Sequence, residues 1–551
     1  MQEQITADEP AGGEGGGAAG VETGGNALKP QGAGGLDLSE RGKDRLFLAA
    51  VLLMIAGYFA LFATLSLLRY QNFRCAGVDI AIFDQVLWLM SRFKGVTSSI
   101  RGMNLFGDHF APVLFLLVPL YWIKGSVTAL LLLQTAALAL GALPLYLLAR
   151  DRLASRWVAL AVAGAYLSYP ALQHMNLFDF HPEVLALCFL LFAVLALERR
   201  RFAWLYVLCL GAVICKEDMA LAVFVLGLLT YFKYDRRAGR IITAGAALYF
   251  LVAVFLLIPR LGPEGFQYSS RLSNFGNTPL EAAKNMVLHP GRTFDILATR
   301  QNLRYVFDML VPVAFLCLLS PAFLLPALPA FLINMISDFA GQHTIHFQYT
   351  AAIIPFVFVA LVFSLKKVQN WTEGAFRQRF VMGALAFVLV ACALAGAFYL
   401  GPSPVAETWT LAKYKSDPHV EVIRDGLSVI PAEARVSAQI YLLPHLSERE
   451  KIYMFPQPFI DLADRKYYRS LPEEQRKFMW PGIYRRLEKG ADPSKYPVPV
   501  VDYVALDRGT DPWPLSREQY DRMAGRLLDG GEFSPVFDRN GVLILKRKGA
   551  R

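Results

Sequence analysis

Five short segments carry most of the residues in this chain that could move a proton or hold a cation. GVDIAIFDQ supplies Asp79 and Asp84, and FGDHF supplies Asp108 and His109. FDFHPE contributes Asp179, His181 and Glu183, CKEDMA contributes Lys216, Glu217 and Asp218, and GQHTIHFQY adds His343 and His346. Carboxylates and imidazoles gathered in one place suit a general base, a divalent-cation site, or both. Mg²⁺ or Mn²⁺ prefers carboxylate oxygen and is often shared with a substrate phosphate; Asp79, Asp108 and His109 are the candidate ligands. His109, His181, His343 and His346 are also of the type that binds transition metals, but no HExxH or CxxC spacing supports a dedicated zinc site.

Each segment also has a purely structural reading. GVDIAIFDQ reads as an amphipathic interfacial helix with its acids toward water. Asp108 suits the cap of a helix opening at His109. Pro182 and Glu183 suit the first turn of a helix, and Lys216–Asp218 suits a local ion-pair network. His343 and His346 have only their loop placement in favour of function. What raises these segments above the structural alternative is a shared location, and that depends on the elements that carry them.

Those elements are membrane helices. The chain has 551 residues, 55% of them hydrophobic and 13% aromatic. Apolar runs such as Leu46–Leu68, Val127–Ala149, Ile241–Ile258 and Phe380–Leu400 reach the roughly 18 residues that mark a spanning helix, and a chain in lipid must satisfy its backbone internally. Alternating ten-residue segments of a barrel are absent. The formal charge of +10 comes from Arg and Lys clustered in short loops, which fixes orientation in a membrane and excludes a nucleic-acid face. Six cysteines, five of them in or beside apolar runs, give no disulfide framework. Residues 1–44 are Gly-, Ala- and Glu-rich and are expected to be a disordered cytoplasmic N-terminus. No signal peptide is visible; Leu46–Leu68 reads as the first span.

Assigning the basic loops to the cytoplasm gives about eleven spans. The membrane domain covers 45–400, with outer loops at 69–125 and 260–304. After the first span, the others are expected at 126–149, 157–171, 183–197, 202–215, 218–232, 241–259, 305–320, 321–338, 349–365 and 380–400. This requires His109–Ile123 to lie at the interface rather than cross. The fold class is therefore mainly α and polytopic, with residues 401–551 forming a small extracytoplasmic α/β domain. Its strand-like runs are Ala434–Ile440, Val500–Leu506 and Gly541–Lys546. In this topology all five polar segments reach the outer face. Acids and histidines at membrane depth also suit an ion relay in a transporter or flippase, and a non-catalytic envelope assembly protein remains a further alternative.

The stretches FDQVLW, FGDHFAPVLFLLVPLY, FHPEVLAL, Lys216–Asp218, FQYTAAIIPFVF, VSAQIYLLPHLSERE and IYMFP resemble a family of membrane proteins labelled domain of unknown function 2079, over about residues 45–550. More distantly, the layout is similar to C-type glycosyltransferases, which take sugars from polyprenyl-phosphate donors. That likeness implies a plasma-membrane enzyme working on the extracytoplasmic face, with a glycan, lipid or protein acceptor. It implies Asp79 as the catalytic acid early in the first outer loop, with Asp108 and His109 beside it. Asp84, His181, Glu183, Lys216, Glu217, Asp218, His343, His346 and Arg271 would then bind substrate. The first loop lacks the paired acids of that family, Asp79 and Asp84 being five apart, so a cation requirement stays open.

Overall fold

The computed structural model describes residues 35–75, 77–153, 155–262, 269–276, 278–459 and 499–550. The expected disordered N-terminus, up to residue 34, lies outside the described residues, as do 263–268 of the second outer loop and the SLPEEQRKF stretch. The described residues up to Leu46 separate as one unit and those from Phe47 onward as another. In the first unit, within the opening turns of helix α1 (Gly35–Gln71), exposed Lys43 pairs with Glu40 at 2.8 Å.

Among the described residues, four helical stretches are long and apolar enough to cross a membrane: Glu40–Gln71, Val127–Arg152, Arg236–Leu261 and Ala375–Leu400. The other expected spans are shorter helices, among them Arg156–Leu167, Phe202–Val213 and Met219–Lys233. The pair expected at 305–338 is broken into helices Arg300–Leu310, Pro321–Leu324 and Leu328–Ile336 joined by 3₁₀ turns. Pro312, Pro321, Pro326 and Pro329 remove backbone donors there and clash with the preceding turn. The apolar segment expected at the interface forms α3 (Val113–Lys124).

Between α1 and α3 lies α2 (Val78–Ser91), almost wholly buried, including Asp84, Gln85 and Ser91. A helix apolar on every side belongs inside a protein, so the interfacial reading of GVDIAIFDQ does not hold. Two short strands, β1 (Thr97–Ser98) and β2 (Met103–Asn104), follow it as an antiparallel pair. Gly107, just beyond, backs onto Gly262, where an added Cβ would sit 2.2 Å from the Gly262 nitrogen.

The C-terminal region carries a mixed sheet ordered β4-β3-β5-β7-β6, from strands β3 (Val436–Ala438), β4 (Ile452–Met454), β5 (Tyr503–Asp507), β6 (Phe533–Arg539) and β7 (Val542–Arg547). β3 pairs parallel with β4 and β5, and β7 antiparallel with β5 and β6. Sequence patterning finds β3, β5 and β7; β4 is too short to show a period, and β6 contains Pro535 and a register shift.

The segment after β3 docks on the loop after α1. Gln85 Nε2 donates to Ser99 Oγ (2.7 Å) and to the Arg449 carbonyl (3.3 Å), and Ser99 Oγ donates to the Ile452 carbonyl (2.7 Å). His445 stacks on Tyr70 with centroids 4.3 Å apart. Gly77, at φ 92°, sits where an added Cβ would lie 2.3 Å from the Ile440 carbonyl oxygen. Left-handed strain and overpacking against backbone each cost about 1–3 kcal/mol, so Gly77→Ala is expected to lower the thermal midpoint of the purified protein by several degrees. An unchanged midpoint would show that this contact is loose.

Candidate active site

The site is built from the ends of four elements. Asp79 sits in the first turn of α2, where a negative charge favours the helix dipole. His181 precedes the helix Pro182–Glu198, with Glu183 in its first turn. Lys216, Glu217 and Asp218 join the helices Phe202–Val213 and Met219–Lys233. Asp108 and His109 follow a 3₁₀ turn, Leu105–Gly107.

His181 faces Asp79, with Nε2 3.5 Å from Oδ2. Its Nδ1 donates to the Asp179 carbonyl at 2.9 Å, so a neutral ring would turn a lone pair toward Asp79. The contact is attractive only when Nε2 is also protonated. The electrostatics agree. Burial opposes the charge on His181, yet its hydrogen bond to Asp79 and the charges of Asp79 and Glu183 raise its pKa. Burial likewise opposes ionisation of Asp79, but His181 and Arg101 hold its pKa below the usual carboxylate value. Behind this pair, Asp179 accepts from the Gly77 N–H at 2.8 Å; burial and the Asp79 charge push its pKa up, opposed by Arg69.

A buried ion network continues the line. Lys216 Nζ lies 3.0 Å from Glu183 and 3.4 Å from Asp218. Burial disfavours the ammonium, but the charges of Asp218, Glu183 and Glu217 outweigh it and raise the Lys216 pKa. His109 Nδ1 donates to Glu217 Oε1 at 3.0 Å, and Glu217 Oε2 accepts from the Phe110 N–H at 2.9 Å. Asp108 accepts from Arg101 Nε at 2.9 Å, both side chains being buried. Access and partnering together separate the acids: Asp79 and Asp218 keep 37% and 35% side-chain exposure, against 5% for Glu183 and Glu217 and 6% for Asp108, but Asp218 is paired with Lys216 at 3.4 Å. Asp79 is therefore the acid that a hydroxyl can reach without first breaking an ion pair to Lys or Arg.

The fold thus brings together Asp79, Asp108, His109, His181, Glu183, Lys216, Glu217 and Asp218 from the sequence-derived set. Tyr349 lies within electrostatic reach of Asp79, Lys216 and Arg271, and Arg271 packs over Phe339, 4.6 Å from the ring centre. Three candidates sit elsewhere. Asp84, five residues from Asp79, points to another face of α2, where Tyr121 and Ser447 each donate to it at 2.6 Å. His343 is tied through Nδ1 to Asn302 and through Nε2 to the Ser337 carbonyl, each at 2.6 Å. His346 is exposed and packs edge-on to His174 at 4.4 Å.

Among the described residues no group of three or more His, Cys, Asp or Glu side chains converges to hold a metal ion. Asp79, Asp108 and His109 instead face His181, Arg101 and Glu217. The donor set fits an ion-pair network better than a cation cage.

Sequence reading passed over Arg101 and Gln134. Gln134 is fully buried in the long apolar helix, donates to the carbonyls of Met175 and Phe178 at 3.2 and 3.3 Å, and accepts from the His181 N–H at 3.2 Å. A polar residue at membrane depth is itself a signal, and Gln134 carries it. Arg101 had no such signal, because its partner is set by the turn after β2.

Burial raises the Asp84 pKa from 3.8 to about 7, against the lowering effect of its bonds to Ser447 and Tyr121. A raised carboxylate gives stability that is present at low pH and lost as pH rises through the folded value. Between about pH 4 and 7 the wild type is thus expected to lose stability with rising pH. Asp84→Asn should flatten that slope in thermal unfolding, and an unchanged slope would assign the dependence to other groups.

No curated protein matches the chain. Among solved structures, ArnT from Cupriavidus metallidurans bound to undecaprenyl phosphate is 13% identical, covering 92% of this chain and 98% of that one, with a TM-score of 0.49. The apo state of the same protein gives 14% identity at the same coverage and a TM-score of 0.47. Residues 69–544, which hold every element of the site, match the family described as Predicted membrane protein (DUF2079), and the chain belongs to that family.

Proposed function

We propose that this membrane protein transfers a sugar from a polyprenyl-phosphate donor to a hydroxyl acceptor on the extracytoplasmic face, with Asp79 as general base. The observation that carries the reading is the access and partnering of Asp79: an ionised, partly exposed carboxylate backed by His181 and set beside a buried ion-pair network. The layout of the chain, with an acid just beyond the first span, supports it.

The acceptor oxygen attacks the anomeric carbon, the bond from that carbon to the phosphate oxygen breaks, and the hydroxyl proton passes to Asp79. A sugar hydroxyl becomes acidic only as its oxygen forms the new bond, so an ordinary carboxylate suffices as base. The phosphate leaves as an anion and needs cations. Arg271, packed over Phe339 and bonded to Tyr349, would meet it; its electrostatic link through Tyr349 to Asp79 and Lys216 supports that role. Lys216 already answers Glu183 and Asp218, so it tunes the site and shares its charge. Arg304 is engaged by Asp308 at 2.8 Å on an exposed helix face.

Membranes containing the protein, given radiolabelled polyprenyl-phosphate sugars, are expected to consume donor and label an acceptor. Absence of turnover together with substrate flux in proteoliposomes would replace this reading by transport. The orientation has its own check: a reporter fused after Arg237 should read as cytoplasmic and one fused at the C-terminus as extracytoplasmic. The opposite result would remove the site from the outer face.

A further inference from the structure

A cavity of about 290 Å³ adjoins the site and is not used by the sugar-transfer chemistry. It is lined by Arg69, His174, His346, Trp409, Lys413 and Tyr414, with Phe178 as one wall. Phe178 also stacks on His181, with centroids 5.3 Å apart and planes 18° from parallel, so one ring separates cavity from site.

The lining is chemically one-sided. No residue lining it is acidic. Arg69 and Lys413 are permanent cations in no ion-pair contact among the described residues, and the carboxylate whose charge reaches Arg69, Asp179, lies outside the lining. The two cations donate to carbonyls, Arg69 Nη2 to Arg74 at 3.2 Å and Lys413 Nζ to Thr408 at 3.4 Å. Arg69 can donate five hydrogen bonds and Lys413 three, so most of their capacity is unspent. The carboxylate that acts on His346 is Asp308, and it is held by Arg304. The indole N–H of Trp409 is buried with no acceptor among the described residues, an arrangement that costs free energy unless a ligand completes it. Trp409 and Tyr414 stack at 6.1 Å and 21°. His174 donates from Nε2 to the Leu400 carbonyl at 2.8 Å. Burial lowers its pKa to about 4, so it adds polarity here and not charge.

We infer that this cavity binds an anionic group, phosphate or carboxylate, borne on a sugar. Arg69, Lys413 and the Trp409 N–H hold the charge, and the stacked aromatic pair offers its apolar face to the sugar C–H groups. The inference does not depend on sugar transfer, since it concerns binding alone.

The test uses the full chain in phosphatidylcholine nanodiscs, with glucose 1-phosphate, glucuronate and glucose as probes in calorimetry and saturation-transfer NMR. Glucose 1-phosphate or glucuronate should bind at least about tenfold more tightly than glucose, and Lys413→Glu and Trp409→Phe should each weaken that binding about tenfold. Lys413 is exposed and Trp409→Phe keeps a ring, so both variants should fold; matching thermal unfolding would confirm this. Asp79→Asn should bind as wild type does. Nanodiscs of phosphatidylglycerol supply a lipid phosphate with no sugar: undiminished binding of glucose 1-phosphate there supports a sugar-borne anion, and full competition by the lipid overturns it. Equal binding of glucose, or wild-type binding by both variants, overturns the inference.

Discussion

Asp79→Asn is expected to reduce sugar transfer by roughly 10²–10⁴-fold, the usual contribution of a positioned general base, with expression and thermal stability close to wild type. Asn keeps the shape and a hydrogen-bonding oxygen but cannot take a proton. The side chain is partly exposed, and His181, which loses the Asp79 charge, keeps that of Glu183 nearby and can release its proton; the cost to folding is therefore smaller than the cost to chemistry. His181→Asn separates the base from its partner. The pKa of Asp79 is held down by the His181 hydrogen bond and charge, so removing His181 should move the acid limb of kcat/KM to higher pH. A fall in rate with no movement of that limb would make His181 a purely structural residue. Full turnover in Asp79→Asn would remove the base assignment altogether.

Arg101→Leu is expected to destabilise the protein by about 3–5 kcal/mol, the cost of leaving one partner of a buried ion pair behind. Arg101 and Asp108 are 10% and 6% exposed at the side chain and 2.9 Å apart. The lone Asp108 carboxylate would have to protonate or draw in water. The double variant Arg101→Leu with Asp108→Leu should recover most of the loss, because an apolar pair replaces both charges at once. Thermal unfolding of the three variants in one detergent closes the cycle. A double variant whose loss equals the sum of the two single losses would show that the pair is not coupled. Because Arg101 also lowers the Asp79 pKa, surviving Arg101→Leu enzyme should share the upward shift of the acid limb.

The sequence alone settled the solvent of this protein. Long apolar runs, charges confined to short loops and an abrupt change of texture after Gly401 require helices in lipid followed by a sheet-bearing region. It also pointed to FDFHPE and CKEDMA, because ionisable residues next to apolar helices are costly and rarely idle. Helix periodicity could not tell which acids are accessible and which are already answered, since that depends on partners far away in the chain. Asp79 and Asp84 look alike within GVDIAIFDQ. The five-residue step around α2 turns one toward His181 and the other toward Tyr121 and Ser447.

The role of the C-terminal region was equally invisible. VSAQIYLLPHLSERE reads as a strand and loop of an outer domain, yet Ile440, Ser447 and Arg449 press on Gly77, Asp84 and Gln85. Sequence patterns encode which face of an element is apolar. They do not encode which distant backbone that face meets, because such contacts are chosen by packing over the whole chain. The apolar pattern therefore determined where helices form, while tertiary packing decided that Asp79 stays partly exposed beside His181 with no ion pair to Lys or Arg among the described residues.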